Sequence, residues 1–306
     1  MNNIINNRKQ VYSNLPSTKL NSSLANIVLE YDINSDLYQK LTQAVQQFIC
    51  KSMALAYDQE FSWTPDFLEK NNKLLAELPN KTPNGIINPK KETSQEFTLI
   101  QNILNQILDD LELYPHIDQL LPFNIRYKSP IETDETKSRP YYTGKYHSDA
   151  WVGHVGDSQF LIGVLGDINN NTVEFTEPTN VLDTYLDKAS TFEEGQTRYS
   201  GFNHLGFLTK QKLAIMDHAC LHRTYMKEGA YDEDGENGLA QSYSVELNIA
   251  RPNDKTLRAL AVWAEPVSNI LEPDSPVSLN YAVNKSLASS ERISAICGGE
   301  EDIPAE

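Results

Sequence analysis

Lys145-Tyr146-His147-Ser148-Asp149-Ala150-Trp151 sets a histidine and a carboxylate two positions apart, and Met216-Asp217-His218-Ala219-Cys220-Leu221-His222-Arg223-Thr224 brings two further histidines much later in the chain. On an extended strand alternate side chains share a face, so His147 and Asp149 point the same way and can grip one metal ion from one side. A histidine from a distant strand completes the set. That convergence needs two remote strands to become neighbours in space, which a double-sheet jelly roll achieves.

Two histidines compete for the third position. Lys212 to Asp217 reads as a strand and Asp217 to Cys220 as a turn, which leaves His222 at the start of the next strand and makes it the preferred ligand. His218 is then a turn histidine that hydrogen-bonds locally or reaches a substrate. The set His147, Asp149 and His222 keeps three positions of an octahedron open, the facial arrangement suited to non-haem Fe(II). The same donors also serve zinc or manganese in cupin-like isomerases and hydrolases, so donor type alone does not select the metal.

Working outward, residues 1–25 are rich in Asn, Ser and Lys and are expected as a mobile arm. A single catalytic domain is expected over 26–282, with a helical layer at 26–120 and a jelly roll at 121–282, followed by an acidic tail at 283–306. In the helical layer, a short strand is expected at Asn26 to Asp32. Helices are expected from Ser35 to about Tyr57, from Pro65 to Leu78, and from Ser94 to about Leu113, each with apolar residues at helical spacing. Strands are expected near Phe123 to Lys128, Tyr141 to Asp149, Gln159 to Leu165, Thr172 to Thr176, Lys212 to Met216, Leu221 to Tyr225, Ser242 to Ala250 and Arg258 to Ala264. The fold class is therefore mainly β with α: a double-stranded β-helix, or cupin-like jelly roll, on a supporting helical layer.

The 306 residues, 40% of them hydrophobic, suffice for one large core. A net charge of -16 without a basic patch argues against nucleic acid and anionic membrane surfaces as partners. No apolar run reaches membrane-spanning length, the first residues lack a signal-peptide core, and a cytoplasmic protein is expected. The three cysteines, Cys50, Cys220 and Cys297, lack the spacing of a zinc or disulfide framework, and Cys220 reads as a small packing residue. The sequence leaves the oligomeric state open.

Three blocks in this order, Tyr146 to Gly153, Asn171-Thr172-Val173-Glu174-Phe175, and Met216 to Thr224, resemble the Fe(II)/2-oxoglutarate-dependent dioxygenases, in particular the StrG-like branch of streptomycin biosynthesis. The resemblance spans roughly Phe123 to Pro252. It implies Fe(II), 2-oxoglutarate as co-substrate and O2, with decarboxylation to succinate coupled to hydroxylation, desaturation or oxidative cyclisation of a small polar metabolite in specialised metabolism. His147, Asp149 and His222 would be the metal ligands and the catalytic centre. Tyr142, Lys145 and Trp151 are candidate substrate contacts, with Tyr141 and Glu174 nearby.

One feature of that family departs here. Such enzymes usually carry an arginine on the strand after the distal histidine to grip the far carboxylate of 2-oxoglutarate, and Ser242 holds that place. Arg251 at the end of the same strand is favoured as its substitute, with Ser244 as an auxiliary donor and Arg126 as a candidate from another strand. Arg223 adjoins His222 and so points to the opposite face, where a structural salt bridge is expected. Two alternatives follow from a missing arginine: a jelly-roll metal-binding protein, or an oxidase independent of 2-oxoglutarate. Glu193 to Arg198 and Tyr231 to Glu236 are candidate lids.

Overall fold

The computed structural model describes residues 3–12, 15–116, 119–120, 123–128, 137–153, 157–166, 171–227 and 242–250. The first part holds α1 (Asn3–Tyr12), β1 (Leu20–Leu24), β2 (Val28–Asp32), α2 (Ser35–Tyr57), α3 (Phe67–Lys70), α4 (Asn72–Ala76) and α5 (Ser94–Asp110). The second holds β3 (Gln119–Leu120), β4 (Asn124–Lys128), β5 (Asp157–Leu165), β6 (Asn171–Pro178), β7 (Phe202–Phe207), β8 (Lys212–Asp217), β9 (Leu221–Met226) and β10 (Ser242–Ala250). Arg258 to Ala264, Arg251, the Tyr231 to Glu236 lid and the acidic tail lie outside the described residues.

The strands form two sheets. The larger runs β1-β2-β8-β5-β10-β3, with β4 also pairing β10, and the smaller runs β7-β6-β9. All these pairs are antiparallel. From β4 onward the chain passes between sheets: β4 large, His147 bridged to β9 in the small, β5 large, β6 and β7 small, β8 large, β9 small, β10 large. This double-sheet order is the jelly roll expected from the sequence.

Period-two alternation divides the core in two. Phe160, Ile162 and Val164 of β5, with Leu213 and Ile215 of β8, face outward and pack with α2 and α5 residues such as Phe48, Ile49, Ile100 and Leu104. Leu161 of β5 and Ala214 and Met216 of β8 face inward and join Trp151, Phe175 and Leu221 in the second cluster. The helical layer thus covers the outer face of the large sheet and leaves the space between sheets for a site. Asn34 caps α2, its side chain accepting from Asp36 N at 2.9 Å.

Within the stretch expected as an arm, the described residues 3–12 and 15–25 include one helix and one strand. Ile5, Arg8 and Tyr12, at helical spacing, are 5%, 9% and 4% exposed, so α1 docks by one stripe, and Leu20–Leu24 pairs with β2. The expected helix from Pro65 to Leu78 is two short ones, α3 and α4. β7 is not among the expected strands; its side chains are mostly exposed, so it carries no apolar alternation. Among the described residues no helix is long and apolar enough to cross a membrane.

Phe48 is fully buried, with its ring 5.8 Å from Phe97, which stacks on Phe123 at 4.1 Å. Phe48→Ala is expected to cost about 3–5 kcal/mol. Urea unfolding should show a lower midpoint at unchanged slope.

Candidate metal centre

The site begins with a backbone pair. His147 N–H donates to His222 O at 2.9 Å and His222 N–H donates to His147 O at 2.9 Å, which fixes the two residues side by side with ring centroids 4.2 Å apart. The strand expected from Tyr141 to Asp149 does not form: Tyr141 to Lys145 is largely turn, and His147 meets β9 through an isolated bridge. Ser148 turns the chain: its hydroxyl donates to His218 O at 2.6 Å and accepts from Ala150 N at 3.2 Å, capping a 3-10 helix over Asp149–Val152. Asp149 thus reaches the same side as His147 by a turn and not by strand alternation.

The three side chains converge. Asp149 Oδ1 lies 3.9 Å from His147 Nε2, and Oδ2 lies 3.7 Å from His222 Nε2. One donor atom from each lies within 4.8 Å of the others, so the group could hold a metal ion. His147 Nδ1 sits 2.8 Å from Lys145 O, and His222 Nδ1 sits 3.3 Å from Cys220 O. A carbonyl only accepts, so Nδ1 carries the hydrogen in both rings and Nε2 keeps its lone pair toward Asp149. Burial pushes the His147 imidazole down to about 3, with His222 beside it adding to the shift and Asp149 opposing it, so this ring is neutral at ordinary pH. His218 is fully buried, with Nε2 3.8 Å from Asp149 Oδ2. It does not line the cavity described next, so the reading in which it reaches a substrate is not supported.

That cavity has a volume of about 310 Å³. The large sheet contributes Asn124 and Arg126 from β4 and Gln159 and Leu161 from β5; the small sheet contributes Val173, His222 and Thr224; the connecting segments contribute Asn84, Tyr141, Thr143, His147, Asp149, Val152 and Phe192. Phe192 stacks on His147 at 4.1 Å and 19°. Gln159 is 6% exposed, and its Oε1 has no hydrogen-bond partner among the described residues. A buried orphan acceptor costs about 1–3 kcal/mol unless something donates to it.

Of the residues expected at the site, Arg126 lines the cavity with His147, Asp149 and His222. Ser244 sits opposite Arg126 in the β4–β10 register, and Ser242 opposite Lys128. Three substrate candidates lie elsewhere. Trp151 is fully buried, its indole N–H donating to Tyr185 O at 2.7 Å, because the 3-10 turn points it into the inner core. Lys145 is ion-paired with Glu193. Tyr142 is absent from the cavity wall, while Tyr141 and Thr143 on either side of it are present.

Glu174 is buried and accepts from Arg223 Nε at 2.6 Å and Tyr146 OH at 3.0 Å, with His204 Nδ1 at 3.0 Å. Arg223 therefore makes the expected structural salt bridge. Burial raises the Cys220 thiol well above its usual range, in keeping with a packing role. The Glu193 to Arg198 segment is mostly the short helix Phe192–Gln196. Gln159, Asn124 and Phe192 were missed by sequence reasoning. Gln159 was findable, because it shares strand parity with Leu161 in a run whose other face is apolar from Phe160 to Val164.

A Cβ built on Gly195 would meet Trp151 ring carbons at 2.2 Å. Gly195→Ala is expected to destabilise by about 1–3 kcal/mol and, by displacing Phe192 from His147, to weaken metal uptake. Thermal unfolding and Co(II) titration check both effects.

No family model and no curated protein matches this chain. Solved structures similar to it include AviO1 from Streptomyces viridochromogenes, 13% identical over 74% of this chain and 90% of that one, TM-score 0.40. SnoN, the non-heme alpha ketoglutarate dependent epimerase from nogalamycin biosynthesis, is 10% identical over 81% and 85%, TM-score 0.36. The non-heme iron oxygenase OrfP, in complex with Fe, succinate and (3S)-hydroxy-L-Arg, is 9% identical over 76% and 96%, TM-score 0.31.

Proposed function

We propose that this chain is a non-haem iron oxygenase that couples decarboxylation of 2-oxoglutarate to oxidation of a C–H bond in a small polar substrate. The observation that carries this reading is the placement of His147, Asp149 and His222, within 4.8 Å of one another, in the wall of a cavity that also holds Arg126. The donor set suits ferrous iron: two imidazoles presenting Nε2 and one carboxylate, with room in the cavity for exchangeable ligands. When bound, the iron and the keto acid supply the oxidising chemistry.

The chain's own contribution is binding, orientation and exclusion of water. Arg126 is proposed to grip the far carboxylate of 2-oxoglutarate in a bidentate pair. Its register partner is Ser244 of β10, two residues along from Ser242, so the guanidinium would enter the cavity from the neighbouring strand and not from the Ser242 position. A cation in the cavity also disfavours the two readings built on a missing arginine. Leu161, Val173, Val152 and Phe192 provide an apolar wall that keeps bulk water from the reacting atoms. Gln159 is proposed to accept a hydrogen bond from an N–H or O–H of the substrate, which makes the substrate polar where it meets β5. The StrG-like assignment, with hydroxylation as the default outcome in specialised metabolism, rests on the motif resemblance.

The test is anaerobic visible absorption after adding Fe(II) and then 2-oxoglutarate, watching for the weak charge-transfer band of a chelated keto acid. The band is expected in the wild type and absent in His147→Ala, Asp149→Ala and His222→Ala. Arg126→Met should raise the 2-oxoglutarate concentration for half-development about 10- to 150-fold, the loss of a charge-assisted hydrogen bond of ~1.5–3 kcal/mol. A full band in the Asp149 variant, or none in a wild type that binds iron, would sink the reading.

A further inference from the structure

The cluster around Asp217 lies outside the cavity, and nothing in the proposed chemistry uses it. Asp217 ends β8, and its side chain is fully buried. A buried carboxylate is costly unless it is neutralised and hydrogen-bonded. Here the partners come from α1: Arg8 Nε donates to Oδ1 at 2.7 Å and Tyr12 OH donates to Oδ2 at 3.2 Å, while Tyr12 OH also lies 2.7 Å from Ser158 Oγ. The carboxylate in turn accepts from Ala219 N at 2.6 Å, and Cys220 N donates to Asp217 O at 2.9 Å, which closes the turn between β8 and β9.

The carbonyls of that turn are aimed at the site. His218 O accepts from Ser148 Oγ at 2.6 Å, and Ser148 is the residue between His147 and Asp149. Ala219 O accepts from Tyr185 OH at 2.8 Å, and Tyr185 O accepts from the indole of Trp151 in the same 3-10 helix as Asp149. Cys220 O is the acceptor that orients the His222 ring. We infer that Arg8 and Tyr12 are positioning residues for the metal centre: α1 holds the Asp217 carboxylate, the carboxylate holds the turn, and the turn aligns both ligand-bearing segments. The inference rests on the proposed metal site, and it assigns an N-terminal helix outside the jelly roll a part in metal affinity.

The experiment is Co(II) binding to the full chain, followed by visible ligand-field absorption and by a competitive chelator for affinity, alongside thermal unfolding. Four variants are compared: Arg8→Met, Arg8→Lys, Tyr12→Phe and, as a stability control in the helical layer, Val45→Ala. Arg8→Met is expected to weaken Co(II) binding about 10- to 100-fold, the usual effect of losing a group that orients metal ligands, with an altered absorption envelope. Arg8→Lys, which keeps the charge, should recover part of that loss. Val45→Ala should lower thermal stability and leave affinity and spectrum unchanged. If Arg8→Met does not fold, Tyr12→Phe carries the test, with an expected loss of about 3- to 10-fold for one hydrogen bond of about 1 kcal/mol. Wild-type affinity and spectrum in folded Arg8→Met, or in Tyr12→Phe when that variant must stand in, overturn the inference. A wild type that takes up no Co(II) overturns the metal reading itself, which separates the two failures.

Discussion

Two reciprocal backbone hydrogen bonds, between His147 and His222, are the constraint on which the site depends. Each is an ordinary 2.9 Å amide-to-carbonyl bond, and together they define a directly opposed antiparallel pair. Such a pair forces the side chains of the two residues onto one face of the sheet. Once that pair is set and Lys145 O and Cys220 O orient the two rings, the chain after His147 has still to deliver its carboxylate. The Ser148 cap decides it, because a hydroxyl bonded to both Ala150 N and His218 O leaves Asp149 no extended conformation to adopt. The jelly roll matters here as the topology that makes two remote segments neighbours.

Polar groups around the pair are satisfied at some distance from it, and this keeps the rings free to point at the cavity. Glu174, on β6, is buried yet meets Arg223, Tyr146 and His204, so the outer side of the small sheet is closed by one network of charge-assisted bonds. Tyr146 and Arg223 are the chain neighbours of the two histidines, and Arg223 also lies over the Tyr146 ring at 4.4 Å. Alternation thus assigns each neighbouring pair opposite tasks: histidines inward, arginine and tyrosine outward. On the inner side Phe192 covers His147 and Trp151 fills the space beneath, which removes water from one flank of the imidazole and accounts for its low proton affinity.

The sequence made legible the elements whose burial is periodic. α2 and α5 bury one continuous stripe each, and β5 and β8 alternate between two cores, so hydrophobic spacing locates them within a few residues. It hid elements anchored by polar contacts. α1 buries an isoleucine, an arginine and a tyrosine, and hydropathy alone reads the arginine as a sign of solvent. β7 lies at the edge of the small sheet with mostly exposed side chains, so nothing in its pattern distinguishes it from loop. Trp151 was misjudged for a similar reason: its strand-like neighbourhood suggested a cavity wall, and the serine cap that rotates it into the core acts through one hydroxyl.

The arginine problem shows what sequence order does and does not constrain. A related pattern that puts the guanidinium on the last strand defines a place in the barrel, and any strand adjacent to the last one offers that place at a lateral distance of about 4.8 Å. β4 is such a strand, pairing with β10 from Ser242↔Lys128 to Glu246↔Asn124. Arg126 spans that gap easily with a side chain of three methylenes, and its rigid fork makes the same two contacts whichever backbone it leaves. Along the strand the limit is tighter, because each step is about 3.3 Å and alternate steps reverse the face. Lys128 shares strand parity with Arg126 but lies two steps further along and is not in the cavity wall, whereas Asn124, two steps the other way, is. The cavity therefore admits one cation from β4, at the level of Ser244, two residues along β10 from Ser242.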